Sequence, residues 1–273
     1  MISPVPLLQT KRTRWPRVIL RLLVVLALAL LIKFILHLLL PRNVTATGER
    51  LPLDLEGGAF QVSCFCGPAV PSGIVILGSG DGGWSYWEEN TARHLMENGF
   101  AVGGWDCRKF ADSRTYDQSQ LGAGFLAAVE AVRMRTDAGD DVPVWYGGWS
   151  TGAEQSVAAA SLADRPPHLA GLLLAAPGKR GRYGITTSDL LGVPPTGPNS
   201  FALADMAQRL SGIRVAQFVA GLDPMDDVSW VKHLTVPYKL IDLPGKLHDM
   251  GKAGPDFQGK IEEAIAWTLN ETP

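Results

Sequence analysis

The run VPVWYGGWSTGAEQSVAAASLA, residues 142–163, passes from strand-forming to helix-forming residues across one serine set between glycines. Val142 to Tyr146 is short, apolar and rich in β-formers, whereas the stretch after Ser150 is rich in alanine. Gly148-Trp149-Ser150-Thr151-Gly152 fits G-x-S-x-G, the pattern of a nucleophile carried on a sharp strand-to-helix elbow. Such an elbow is strained and crowded, so side chains on either side of the serine would collide with it. It lifts the hydroxyl out of the sheet and leaves it at a helix N-terminus, whose N–H groups can meet an oxyanion. The pattern alone is weak, because it arises by chance in Gly-rich chains, and the bland alternative is a plain Ser N-cap of a βα turn.

Outward from the elbow the chain alternates. GIVILG (73–78), FAVGGW (100–105), VPVWYG (142–147), LAGLLLAA (169–176), IRVAQFVA (213–220) and VPYKLIDL (236–243) read as six strands. LPLDL and AFQVSC flank Glu56-Gly57-Gly58 and predict a β-hairpin before them. Helices are predicted from about Trp84 to Asn98, from Gln118 to Arg135, after Ser150, and at the C-terminus. The second carries Leu121, Phe125, Ala128, Val129 and Val132 on one face, and the last carries Ile261, Ala264, Ile265, Thr268 and Leu269 at helical spacing. Apolar strands alternating with amphipathic helices predict an α/β fold with a mostly parallel sheet covered by helices on both faces. The stretch 177–199 is irregular and falls after the fourth of these strands, on the edge where α/β sheets bind ligands.

Partners for the serine follow in order. Past the fifth strand comes Gly221-Leu222-Asp223-Pro224-Met225-Asp226-Asp227, with Asp223 the first candidate acid and Asp226 and Asp227 in reserve. Past the sixth, His248 lies in a glycine-containing loop before the final helix, where a general base belongs. His37, His94, His168 and His233 have no such position. The loop Gly78-Ser79-Gly80-Asp81-Gly82-Gly83-Trp84 follows the first strand of the series, and the N–H groups of Gly80 and Asp81 join that of Thr151 as the expected oxyanion donors. The loop lacks the lysine of a phosphate-cradling G-x-x-x-x-G-K-[ST].

Residues 18–40 are apolar all round and long enough to cross a bilayer as a helix, with Arg21 and Lys33 near enough to the ends to snorkel. Lys11, Arg12, Arg14 and Arg17 precede this segment and only Arg42 follows closely, which predicts a cytoplasmic tail (1–17), an uncleaved signal anchor (18–40), a linker (41–50) and a domain (51–273) on the far side. The net charge of −2 carries no basic field for nucleic acid. Three cysteines, Cys64, Cys66 and Cys107, have no zinc spacing. A bridge from Cys64 or Cys66 to Cys107 and three free thiols both remain open. No cofactor or metal is called for.

Gly78 to Trp84 (GSGDGGW), Gly104-Trp105-Asp106 with Phe110 and Arg114-Thr115, and Gly148 to Glu154 (GWSTGAE) together resemble the VirJ/AcvB family of bacterial virulence proteins. The resemblance runs from about residue 70 to the C-terminus. It implies an α/β-hydrolase fold facing the periplasm. It further implies cleavage of the aminoacyl ester of aminoacylated phosphatidylglycerol, chiefly the lysyl form in the AcvB type, while VirJ-type members are linked to type IV secretion. Family members usually carry Asp where Glu154 stands, and a more glutamate-rich acid loop than GLDPMDD. The implied protein is a single-pass protein of the bacterial inner membrane whose partner is a membrane lipid. Asp81, Asp106 and Glu154, near predicted strand ends, are the candidate carboxylates for a substrate ammonium. An esterase of other acyl substrates would share the triad. A non-catalytic periplasmic binding protein would have no chemical reason to keep Ser150, Asp223 and His248 together.

Overall fold

The computed structural model describes residues 15–39, 44–190 and 193–269, with the side chains of the first helix described over 19–31. The chain divides into two compact units, Met1–Arg42 and Asn43–Pro273. In the first, α1 (Trp15–Leu39) is a helix of 25 residues, and its described leucines and valines are exposed. Among the described residues no helix is long and apolar enough to cross a membrane. The basic residues Lys11, Arg12 and Arg14, and the side chains of Arg17, Lys33, His37 and Arg42, lie outside the described residues.

The second unit is built on β1 (Glu49–Leu55), β2 (Gly58–Phe65), β3 (Ile74–Gly78), β4 (Ala101–Trp105), β5 (Val144–Trp149), β6 (Leu169–Ala175), a short ribbon of β7 (Arg180–Arg182) and β8 (Ser200–Ala202), β9 (Arg214–Ala220) and β10 (Tyr238–Leu243). The helices are α2 (Tyr86–Glu97), α3 (Cys107–Ser113), α4 (Gln118–Thr136), α5 (Thr151–Ala160), α6 (Thr187–Leu190), α7 (Leu203–Ala207), α8 (Met250–Ala253) and α9 (Pro255–Thr268), with a 3₁₀ turn at Trp230–His233. The main sheet has eight strands in the order β1-β2-β4-β3-β5-β6-β9-β10. The β1–β2 hairpin joins it antiparallel through β2 and β4, and the other pairings are parallel.

The central strands form because each is a largely apolar run with a core on both sides, whereas the edge strand β10 buries only Ile241 and Leu243, on one face. On β3, Ile74 and Ile76 enter one core and Val75 and Leu77 the other. On β5, Val144 and Tyr146 divide from Trp145 in the same way. The face of α4 read from sequence, Leu121, Phe125, Ala128, Val129 and Val132, is fully buried in the first core. Phe257, Ile261, Ala264 and Ile265 of α9 bury in the second, with Trp87 and Leu95 of α2. All three cysteines are free thiols.

Two boundaries differ from the expectation. Helix α2 starts at Tyr86 rather than Trp84, because Trp84 is drawn into the core and Ser85 caps the helix in a reciprocal capping box with Glu88. Residues 44–50, expected as linker, belong to the domain. Val44 N–H donates to Trp84 C=O at 3.0 Å, Thr47 N–H and Oγ1–H both donate to the Glu89 carboxylate, and β1 has begun by Glu49. Residues 41–43 of that segment lie outside the described residues.

Candidate active site

Strand β5 ends at Trp149 and α5 begins at Thr151, so Ser150 alone makes the turn. Its backbone sits at φ 52°, ψ −119°, a positive-φ conformation that costs on the order of 1–3 kcal/mol for a residue with a Cβ. Ser150 N–H donates to Ala175 C=O of β6 at 2.9 Å, and Ser150 C=O accepts from Glu154 N–H at 3.1 Å. The side chain makes no capping bond, so the plain N-cap reading does not describe this serine. The flanking glycines are sterically required: a Cβ on Gly148 would lie 2.5 Å from Gly78 O, and one on Gly152 would lie 2.2 Å from the same atom.

Beyond β9 and β10 two loops are laced together. Gly221 N–H donates to Leu243 C=O at 3.2 Å and Leu222 N–H to Lys246 C=O at 2.9 Å. This brings His248 Nδ1 to 2.6 Å from Asp223 Oδ2. Asp223 is almost fully buried, with its other oxygen accepting Met225 N–H at 2.9 Å, while His248 is about a third exposed. An Nδ1–H held on a carboxylate leaves the Nε2 lone pair free to act as a base. His248 is also tied to the elbow. Trp149 Nε1–H donates to the His248 carbonyl at 2.7 Å, and the two rings lie 5.1 Å apart.

The reserve acids have other work. Asp226 accepts from Gln217 Nε2 and from Ala220 N–H, each at 2.9 Å, and burial pushes its carboxyl up to about 6. Asp227 caps Ser229 through its N–H and hydroxyl.

The loop after β3 corrects part of the oxyanion expectation. Gly80 N–H donates to Glu88 Oε1 at 3.1 Å and so is not presented to a substrate. Glu88 is fully buried, takes Ser85 N–H (2.7 Å) and Ser85 Oγ–H (2.6 Å) on its other oxygen, and is pushed up to about 7 by that burial. Its neighbour Glu89 holds Trp84 Nε1–H at 3.0 Å and the Thr47 strap. The Thr151 N–H lies in the first turn of α5, where no helical partner exists for it.

Two of the three candidate ammonium partners are also corrected. Asp106 is the N-cap of α3, accepting Lys109 N–H at 3.0 Å and pairing with Lys109 Nζ at 2.8 Å. It lines a cleft of about 230 Å³ beside Arg50 and Gln61 rather than standing as an unpaired charge. Glu154 is buried under the segment after β6, where it accepts Gly178 N–H at 3.0 Å. Burial, with Asp81 and Asp189 nearby, pushes its carboxyl up to about 8, so at neutral pH it is mainly uncharged. Asp81 is half-buried and close enough to Glu154 to add to that rise. Among the described residues no group of three or more His, Cys, Asp or Glu side chains is placed to hold a metal ion.

Sequence reasoning missed Glu88. Its signal was present as Ser85-x-x-Glu88, but the bond to Gly80 crosses from a loop to a helix and leaves no mark in the pattern.

A family model described as bacterial virulence protein (VirJ) matches residues 72–255. No curated protein matches the sequence. Among solved structures, an alpha/beta hydrolase from Penicillium sp. sh18 is 13% identical and superposes with a TM-score of 0.61 over 82% of this chain and 98% of its own. A thermostable carboxyl esterase from Bacillus coagulans is 14% identical, with a TM-score of 0.60 over 81% and 97%. An a/b serine hydrolase without lid from Xanthomonas campestris is 21% identical, with a TM-score of 0.51 over 85% and 99%. At these identities the likeness speaks to the fold, which is that of the α/β-hydrolases.

Proposed function

Because the chain belongs to the bacterial virulence protein (VirJ) family, we propose that it is a serine ester hydrolase working through Ser150, His248 and Asp223. The observation that carries this reading is the strained Ser150 elbow, joined through its neighbour Trp149 to the loop of His248, whose imidazole is held by the buried Asp223 carboxylate. His248 takes the Ser150 proton as the hydroxyl attacks an ester carbonyl. Asp223 orients the imidazole and stabilises its cation. The Thr151 and Asp81 N–H groups receive the oxyanion. The alcohol leaves with a proton from His248, and water then cleaves the acyl-enzyme.

The substrate proposed is the aminoacyl ester of aminoacylated phosphatidylglycerol. The apolar run of residues 18–40, preceded by Lys11, Arg12, Arg14 and Arg17, supports a membrane anchor that holds the domain in the periplasm, close to such a lipid. Full-length protein is incubated with lysyl-phosphatidylglycerol in mixed micelles and free lysine is followed by mass spectrometry. Release by wild type, lost in Ser150→Ala and in His248→Ala, is the expected outcome. Hydrolysis of a simple activated ester without release of lysine would reject the lipid substrate and keep the hydrolase. Inactivity on both would reject the hydrolase.

A further inference from the structure

We propose that Glu88 is a positioning residue that sets the Gly78–Trp84 loop for oxyanion stabilisation, an assignment that rests on the hydrolase reading above. The carboxyl is fully buried, and its two oxygens bridge the loop end to end. Oε1 takes the N–H of Gly80, and Oε2 takes the N–H and hydroxyl of Ser85. A buried carboxyl bonded to three donors of one loop is a directional clamp.

The clamp acts on the peptide that follows. Gly80 C=O accepts Gly83 N–H at 3.0 Å and Ser79 Oγ–H at 3.1 Å, so the carbonyl side of the Gly80–Asp81 peptide is fixed toward the loop's own backbone. In a planar trans peptide the next N–H points opposite to that carbonyl. The direction of the Asp81 N–H is therefore set by what holds Gly80, and Glu88 holds it from the other side. The loop is also anchored at the elbow. Gly78 packs on the backbone of Gly152, and a Cβ on Gly80 would lie 2.9 Å from the Trp149 ring. A loop gripped at Gly78, Gly80 and Ser85 keeps its donor in place without reorganisation during reaction, which is what makes such donors effective. Glu88 itself touches no substrate in this scheme.

The test separates positioning from folding. A carbonyl ester and its thionoester analogue undergo the same attack, but sulfur is a poor hydrogen-bond acceptor, so the thionoester draws little on oxyanion donors. Full-length wild type, Glu88→Gln and Ser85→Ala are assayed on a p-nitrophenyl ester and its thiono counterpart, with circular dichroism and melting curves alongside. In Glu88→Gln, which keeps the shape but loses an acceptor facing Ser85, kcat on the ester is expected to fall by about 10- to 100-fold with KM nearly unchanged. The thionoester rate should fall by less than about threefold, on the same oxyanion argument. Ser85→Ala should shift the ratio in the same direction by less, and it serves as the readout if Glu88→Gln does not fold. Equal losses on both esters, or no loss on either, would overturn the assignment. Wild type inert towards both esters would instead remove the reaction, and this assignment with it.

Discussion

Gly78 and Gly152 meet backbone to backbone, so closely that a Cβ on Gly152 would stand 2.2 Å from Gly78 O and 2.3 Å from its carbonyl carbon. Strand β3 and the first turn of α5 are in contact with no side chain between them. The Gly78–Trp84 loop and the Ser150 elbow therefore share one rigid seam.

Gly152→Ala must force that seam apart, because neither partner is a side chain that can swing away. The expected cost is about 1–3 kcal/mol, read as a lower urea midpoint. Esterase activity should fall by more than stability accounts for, since donor and nucleophile separate. A variant with wild-type kcat would show that the seam has no part in the chemistry.

Asp223 and Asp226 are three residues apart and are expected to behave oppositely. Asp223→Asn removes the acceptor for His248 Nδ1–H while leaving the fold in place, so kcat should drop by about 10³- to 10⁴-fold with little change in melting temperature. Asp226→Asn loses an acceptor for either Gln217 Nε2 or Ala220 N–H. It should cost about 1–2 kcal/mol of stability and leave kcat within about threefold. Steady-state kinetics beside chemical denaturation distinguish the two.

Stability should fall as pH rises from about 4.5 to 8. Burial raises Asp226 to about 6, Glu88 to about 7 and Glu154 to about 8, so each folded carboxyl keeps a proton that the unfolded chain releases at its ordinary value near 4. Their stability is fully present below that ordinary value and is lost as pH climbs through the folded one. Glu263, held at about 2 by Lys239 and Lys260, works in the opposite sense, but only in acid below about pH 4.5. Glu154→Gln should flatten the alkaline end of the curve, a difference on the order of a few kcal/mol between pH 5 and pH 8. Urea midpoints across that range decide it, and parallel curves for the two proteins would contradict the burial of Glu154.

The anchor is tested by extraction. Full-length protein should remain in the membrane pellet after alkaline carbonate and leave it only with detergent. Release by carbonate would leave α1 as a surface-bound helix.

The central strands β3, β4, β5 and β6 are legible because they are buried on both faces and therefore apolar almost without interruption, while β10 shows through the alternation of Leu240, Ile241 and Leu243 with Lys239 and Asp242. The places of Ser150, at a strand-to-helix turn, and of His248, in the loop after the last strand, are legible because an alternating βα series fixes them in order. The Asp223 side chain was legible only as one of three, since choosing among Asp223, Asp226 and Asp227 depends on which carboxyl the lacing of two loops turns toward an imidazole. Gly80 and Glu154 were misread for a shared reason. Each reads as open to substrate in sequence, yet Gly80 N–H donates to Glu88 of the following helix and the Glu154 carboxyl accepts the N–H of Gly178. Local pattern records which groups exist, and tertiary contact decides which are already satisfied.

The left-handed backbone of Ser150 has one more consequence. Glycine tolerates φ 52° at no steric cost, so Ser150→Gly should melt at a higher temperature than wild type while losing activity. Ser150→Ala, which keeps the Cβ, should show no such gain. The protein keeps a side chain at position 150 at the expense of its own durability, and a thermal-shift screen for sturdier variants would select for its removal.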